Sequence, residues 1–178
     1  VLAAVEDFIP PIAARAEEMA ALLRSAVDGK FVKAEGEPVA IIGAGPAGLS
    51  AAHDLAIMGF RPTVYELENV TAGMLAVGVP AYRLPRELIM KEIAVIEALG
   101  VEIRTGIEIG KDISFAELRR DHKAVIIAVG AKSSRGLGLT GESGPGVLGG
   151  VDLLRLVSLG ERLHLGKNIV VIGGGNVA

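Results

Sequence analysis

Apolar positions along the chain change period several times, and each change marks an element. Residues 12–27, "IAARAEEMAALLRSAV", place Ile12, Ala16, Met19, Leu23 and Val27 near helical spacing, with Pro10 and Pro11 before them and Gly29 after. This predicts a helix, followed by a polar linker, "KFVKAEGEP". A short apolar run, Val39–Ile42, predicts a strand, and the glycine-rich turn behind it opens a helix from Pro46 to Met58 that stops at Gly59. "PTVYE", residues 62–66, predicts the next strand and completes a βαβ unit, which implies a parallel sheet. "AGMLAVGVPAYRLP" reads as an irregular loop. Beyond it, Leu88, Ile89, Ile93, Ile96 and Leu99 line one face of a helix over 86–99, ended by Gly100. "VEIRTG" and "IEIG" read as short strands. "SFAELRRDH" reads as a short helix opened by a Ser114–Glu117 capping box. Residues 124–130, "AVIIAVG", are apolar throughout, as in a strand covered on both faces. A glycine-rich connection over 136–150, a helix over 151–159 and a final strand, Ile169–Ile172, complete the pattern.

Composition narrows what this chain can be. It has 178 residues, 51% of them hydrophobic, enough for one large core. Glycine numbers 24, roughly twice the ordinary ~7%, and it sits in turns rather than in a repeat. Eighteen basic and 21 acidic residues are spread evenly for a net charge of −3, and aromatics make up only 3%. Neither a basic stripe nor an aromatic stacking surface points to nucleic acid or anionic lipid. The longest apolar stretch, Val39–Ala52, is interrupted by four glycines and prolines and is too short for a membrane span. There is no cysteine, which excludes disulfides, thiolate metal sites and thiol catalysis within the chain and suits a cytoplasmic setting.

The chemistry lies in two glycine turns. The first, Gly43-Ala44-Gly45-Pro46-Ala47-Gly48, is a GxGxxG between a strand and a helix. The first glycine permits the tight turn, the second lets the backbone approach a pyrophosphate, and the third allows the helix to pack closely on the strand. The diphosphate would rest at the positive N-terminus of the helix. Glu66, 18 residues after Gly48, ends the second strand, where a carboxylate accepts hydrogen bonds from ribose hydroxyls and repels a 2′-phosphate. That favours FAD or NAD over NADP at this turn. The plainer alternative is a glycine turn kept for packing alone. The second turn, Gly173-Gly174-Gly175-Asn176-Val177-Ala178, is a GxGxxA after "NIVVI" and suggests a second dinucleotide motif. Two such motifs 130 residues apart suit hydride transfer from a nicotinamide to a flavin, chemistry carried by the cofactors. No catalytic side chain and no metal ligand set is needed, and none is expected. His53, His122 and His164 read as surface or packing residues.

"VAIIGAGPAGLSAAHDLAIMGFRPTVYE", "AGMLAVGVPAYRLPRELIMKEIAVIEALGVEIRTG", "AVIIAVGA" and "GKNIVVIGGGNVA" together resemble the glutamate synthase small (beta) subunit family of FAD- and NAD(P)H-dependent oxidoreductases, from about residue 38 to 178. "GMLAVGVPAYRLP" is the most specific part. The resemblance implies an α/β, Rossmann-like FAD/NAD(P)-binding parallel sheet with helices on both faces. It implies FAD at Gly43, Gly45, Pro46, Ala47, Gly48 and Glu66, with Gly73, Met74 and Leu75 along the flavin. Ile109 would meet adenine through its backbone, and Ala128, Val129 and Gly130 form a second short FAD-contacting motif. Arg83 is a candidate flavin contact. Gly173, Gly175, Asn176, Val177 and Ala178 match the start of an NAD or NADP site. Two departures stand out: Ala72 replaces the first of two glycines before "ML", and "ELENVTAGM" lacks the basic residue often found after the ribose acid.

On this reading residues 1–37 are an N-terminal helix and linker, 38–150 the first part of an FAD-binding domain, and 151–178 a crossover and first strand of an NAD(P)H-binding domain. The chain is expected to be a fragment of a two-dinucleotide-domain reductase, with iron–sulfur clusters only outside it. The parent would pass electrons from NAD(P)H through FAD to iron–sulfur centres and a redox partner such as a glutamate synthase large subunit. A transhydrogenase or pyrimidine dehydrogenase module stays open as an alternative, as does a non-catalytic nucleotide-binding fragment.

Overall fold

The computed structural model describes residues 36–177. The helix expected over 12–27 and the domain boundary at 37 lie outside the described residues or at their edge. The elements in chain order are β1 (Pro38–Ile42), α1 (Pro46–Ile57), β2 (Arg61–Glu66), α2 (Met74–Val77), α3 (Arg86–Ala98), β3 (Glu102–Thr105), α4 (Phe115–Asp121), β4 (Ala124–Ile127) and α5 (Gly150–Ser158). The four strands form one parallel sheet in the order β3-β2-β1-β4.

Strand periodicity separates two cores. Ile41 of β1 pairs in register with Val64 of β2 and Ile126 of β4, and all three point to one face. There Leu49, Ala52 and Ala56 of α1 and Ile89 and Ile93 of α3 cover them. Ala40 and Tyr65 point the other way, where Leu118 of α4 and partly buried Ile107, Ile109 and Ile113 close the second face. The sheet thus has helices on both sides, as an α/β fold requires. The Ser114 capping box forms as expected: Ser114 Oγ accepts the Glu117 N–H at 3.1 Å, and Glu117 Oε2 accepts the Ser114 N–H at 2.8 Å.

Five expectations need correction. The strand expected over 124–130 ends at Ile127, and β4 is the sheet's edge among the described residues, with its outer end exposed. "IEIG" forms no strand, only a single bridge between Ile109 and Ile113. The loop after β2 contains a one-turn helix, α2. Leu88 is exposed, because α3 buries the narrower stripe that contains Ile89 and Ile93. Ile169–Ile172 forms no strand; Val170 is 87% exposed. An apolar run becomes a strand only where a neighbouring strand takes its N–H and C=O groups, and none of the described strands lies beside it.

Candidate functional site

A cavity of about 460 Å³ opens at the C-terminal ends of β1, β2 and β4, where open parallel sheets hold ligands. Three strand ends build it. Ile42, Gly43, Gly45, Pro46 and Ala47 come from the end of β1 and the start of α1, and Tyr65, Glu66 and Leu67 from β2. Ala128, Val129, Gly130 and Lys132 come from the turn after β4. Gly73, Met74, Ile107, Glu108 and Ile109 complete the lining.

The first turn is bound into the sheet. The Gly43 N–H donates to the Tyr65 carbonyl at 2.7 Å, and the Ala128 N–H to the Ile42 carbonyl at 2.8 Å. Gly43 has φ +107°, and a Cβ there would collide with the Ala128 carbonyl. A Cβ on Gly48 would drive into the Gly43 carbonyl and reach Ile41 Cγ2 at 3.3 Å. Gly48 therefore packs helix on strand and does not line the cavity. Gly45 differs: a Cβ built on it meets no atom within 4 Å. It borders open space at the N-terminus of α1, a helix with no side-chain cap and no acidic residue in its first turn. Those features fit the diphosphate of a dinucleotide, drawn by free N–H groups and the helix dipole.

Glu66 is 2% exposed and held by three donors. Its Oε2 accepts the Ala44 N–H at 2.7 Å, and its Oε1 accepts the Glu68 N–H at 3.0 Å and the Lys132 ammonium at 3.1 Å. Beside it, Arg155 of α5 bonds Glu68 Oε1 at 2.7 Å and holds the Glu68 carboxyl below its ordinary range. This contact ties α5 to the segment after β2.

That segment folds back over the first turn. The Ala72 N–H donates to the Ala44 carbonyl at 2.8 Å, and a Cβ on Gly73 would lie 3.0 Å from Gly45 Cα. Ala72 is buried with φ +72°, the left-handed region that a glycine enters at lower cost. The departure noted in the sequence thus falls on a position whose backbone favours glycine. Arg86, first residue of α3, fixes the loop by donating to the carbonyls of Leu75 at 2.8 Å and Val79 at 2.7 Å.

Of the candidate residues, the cavity gathers Gly43, Gly45, Pro46, Ala47, Glu66, Gly73, Met74, Ile109, Ala128, Val129 and Gly130. Leu75 and Arg83 do not line it; Arg83 is exposed and lies over the Tyr82 ring, 5.8 Å from its centroid. Gly173, Gly175, Asn176 and Val177 are exposed and do not line it, and Ala178 is outside the described residues. Sequence reasoning missed Ile42, Tyr65, Leu67, Ile107, Glu108 and Lys132. Tyr65 and Leu67 flank Glu66 and could have been taken with it; Lys132 carries no local signal. Among the described residues no group of three or more His, Cys, Asp or Glu side chains could hold a metal ion, and no helix is long and apolar enough to cross a membrane.

Comparisons with known proteins agree with this geometry. The sequence profile of the pyridine nucleotide-disulphide oxidoreductase family matches residues 37–178. The chain is 49% identical over 146 residues to the NADP(+)-dependent formate dehydrogenase subunit beta of Moorella thermoacetica, covering 80% of this chain and 21% of that one. It is 35% identical over 161 residues to a putative glutamate synthase [NADPH] small chain of Cereibacter sphaeroides, covering 85% and 39%. The structure of Mycobacterium tuberculosis FprA in complex with NADPH superposes with a TM-score of 0.62 at 26% identity, covering 68% of this chain and 29% of that one. The chain therefore spans about a fifth to two fifths of the length of these curated relatives. The resemblance to glutamate synthase small subunits holds, within a wider group that includes other reductase subunits. With a strand–turn–helix fingerprint, a buried acid at the second strand end and a profile match over residues 37–178, this chain belongs to the pyridine nucleotide-disulphide oxidoreductase family.

Proposed function

We propose that the chain is the FAD-binding module of an NAD(P)H-dependent oxidoreductase, with the ADP half of FAD in the cavity. One observation carries this reading: Gly45 borders open space at an uncapped helix N-terminus, while buried Glu66 stands at the adjacent strand end. The N–H groups at the start of α1 hold the diphosphate. Glu66 accepts from the ribose. Ile109 and Ile107 give adenine an apolar wall, and Met74 and Ala128–Gly130, which also line the cavity, serve the flavin half. When bound, FAD supplies a carrier that takes a hydride from reduced nicotinamide and releases electrons singly to an acceptor. The chain's residues bind, orient and shield it; no side chain needs to transfer a proton.

Gly173, Gly175, Asn176 and Val177 belong on this reading to the start of the NAD(P)H site, which the cavity does not include. The acceptor is a redox partner subunit, such as a glutamate synthase large subunit, with iron–sulfur clusters outside this chain. The relatives' names fit such assemblies, since one is called a subunit beta and another a small chain. A cytoplasmic setting suits a chain without cysteine.

The test is flavin content. Purified protein incubated with FAD and desalted is expected to retain flavin absorbance, and Gly45→Leu to lose it while remaining folded by circular dichroism. Retention of flavin by Gly45→Leu would place the cofactor elsewhere.

A further inference from the structure

The cavity contains one basic side chain among its lining residues, Lys132, and it comes from the loop after β4 rather than from the segment that follows Glu66. Residues 67–73, "LENVTAG", offer no cation. Lys132 Nζ lies 3.1 Å from Glu66 Oε1, and its side chain is 26% exposed against 2% for Glu66. The ammonium is therefore the outer, accessible member of the pair.

Counting bonding positions shows what this does to the acid. An ionised carboxylate has about four lone-pair positions. Ala44 N–H, Glu68 N–H and Lys132 occupy three of them. One remains, enough to accept from a single hydroxyl. A ribose presents two neighbouring hydroxyls, each both donor and acceptor. Lys132 has three N–H donors and directs one at Glu66, so two are free to donate to a ribose oxygen.

We propose that the Glu66–Lys132 pair, not Glu66 alone, reads the ribose diol of the adenosine half of the dinucleotide, which makes Lys132 a ligand-binding residue and a determinant of sugar specificity. This inference rests on the dinucleotide reading of the cavity. Glu66 accepts from one hydroxyl and Lys132 donates to the oxygen of the other, so a sugar lacking either hydroxyl leaves one bonding position of the pair unfilled.

The experiment measures the affinity of FAD, ADP, 2′-deoxy-ADP and 3′-deoxy-ADP for the purified protein and for Lys132→Met and Lys132→Arg, by titration calorimetry. Thermal melts of each variant run in parallel. Loss of one charge-assisted hydrogen bond corresponds to about a tenfold weakening. Lys132→Met is expected to bind FAD and ADP about tenfold more weakly and to lose much of the preference for ADP over one deoxy analogue, with Lys132→Arg partly restoring both. If Lys132→Met melts lower but keeps the parent's affinities and deoxy preference, Lys132 only steadies Glu66 and the proposal fails. If ADP and both deoxy analogues weaken equally, the ammonium serves the diphosphate and the ribose assignment fails. If neither FAD nor ADP binds the parent protein, the dinucleotide reading itself falls, and this inference with it.

Discussion

Replacing Glu66 by glutamine tests whether the carboxylate supports the fold as well as the ligand. Glutamine keeps the shape but has one acceptor oxygen and an NH₂ group. Two backbone amides and an ammonium donate to the present side chain, on both oxygens. In the better orientation the amide oxygen faces Glu68 N–H and Lys132, and the NH₂ then meets the Ala44 N–H, donor against donor. Leaving a buried donor unpaired costs about 1–3 kcal/mol. Exchanging a charged acceptor for a neutral one opposite Lys132 costs roughly 1 kcal/mol more, a modest figure because that lysine reaches solvent. The expected destabilisation is about 2–4 kcal/mol, or roughly 5–15 °C in Tm for a chain of this size. Urea denaturation followed by circular dichroism, without added nucleotide, measures it. A Glu66→Gln protein within about 0.5 kcal/mol of the parent would refute the reasoning, since it would show that the three donors do not depend on a full carboxylate.

The second and third glycines of the fingerprint should separate cleanly. Gly48→Ala is expected to cost about 2 kcal/mol or more in thermal unfolding, because its Cβ meets the Gly43 carbonyl and backbone yields poorly; a loss under about 0.5 kcal/mol contradicts the packing argument. Gly45→Ala has open space and an ordinary φ of −77°, so stability should hold or rise by about 0.4–1 kcal/mol while FAD affinity falls; a variant that loses stability but keeps its affinity counts against the site. Arg155 holds the Glu68 carboxyl below its usual value of 4.5. The folded pKa is depressed, so this contribution is complete above about pH 4.5 and is lost as pH falls through the lower folded value. Stability measured from pH 6 to pH 3 should therefore decline less steeply in Arg155→Met than in the parent, and parallel curves would show that the pair adds no acid dependence.

The sequence by itself determined what short-range physics controls. The β1-α1-β2 unit follows from a change of apolar period around a glycine turn, whose last glycine answers a steric need within six residues, since a Cβ on Gly48 would meet the Gly43 carbonyl. The Ser114 cap joins groups three residues apart, and Gly59 and Gly100 end helices by local backbone preference. These interactions need no distant partner, so they can be read along the chain. The tertiary structure alone decided the rest. Glu66 and Lys132 are separated by 66 positions, and only the parallel pairing of β1 with both β2 and β4 brings their strand ends to one cavity. Arg83 and Arg86 look equivalent around "LP", yet Arg86 at the start of α3 finds loop carbonyls while Arg83 lies over the exposed Tyr82 ring. "AVII" and "IVVI" are equally apolar; the first is a strand because β1 lies beside it, and the second is not because none of the described strands does. A strand's hydrogen bonds and an ion pair's attraction both depend on what the folded chain places a few ångströms away, and no local pattern encodes that distance.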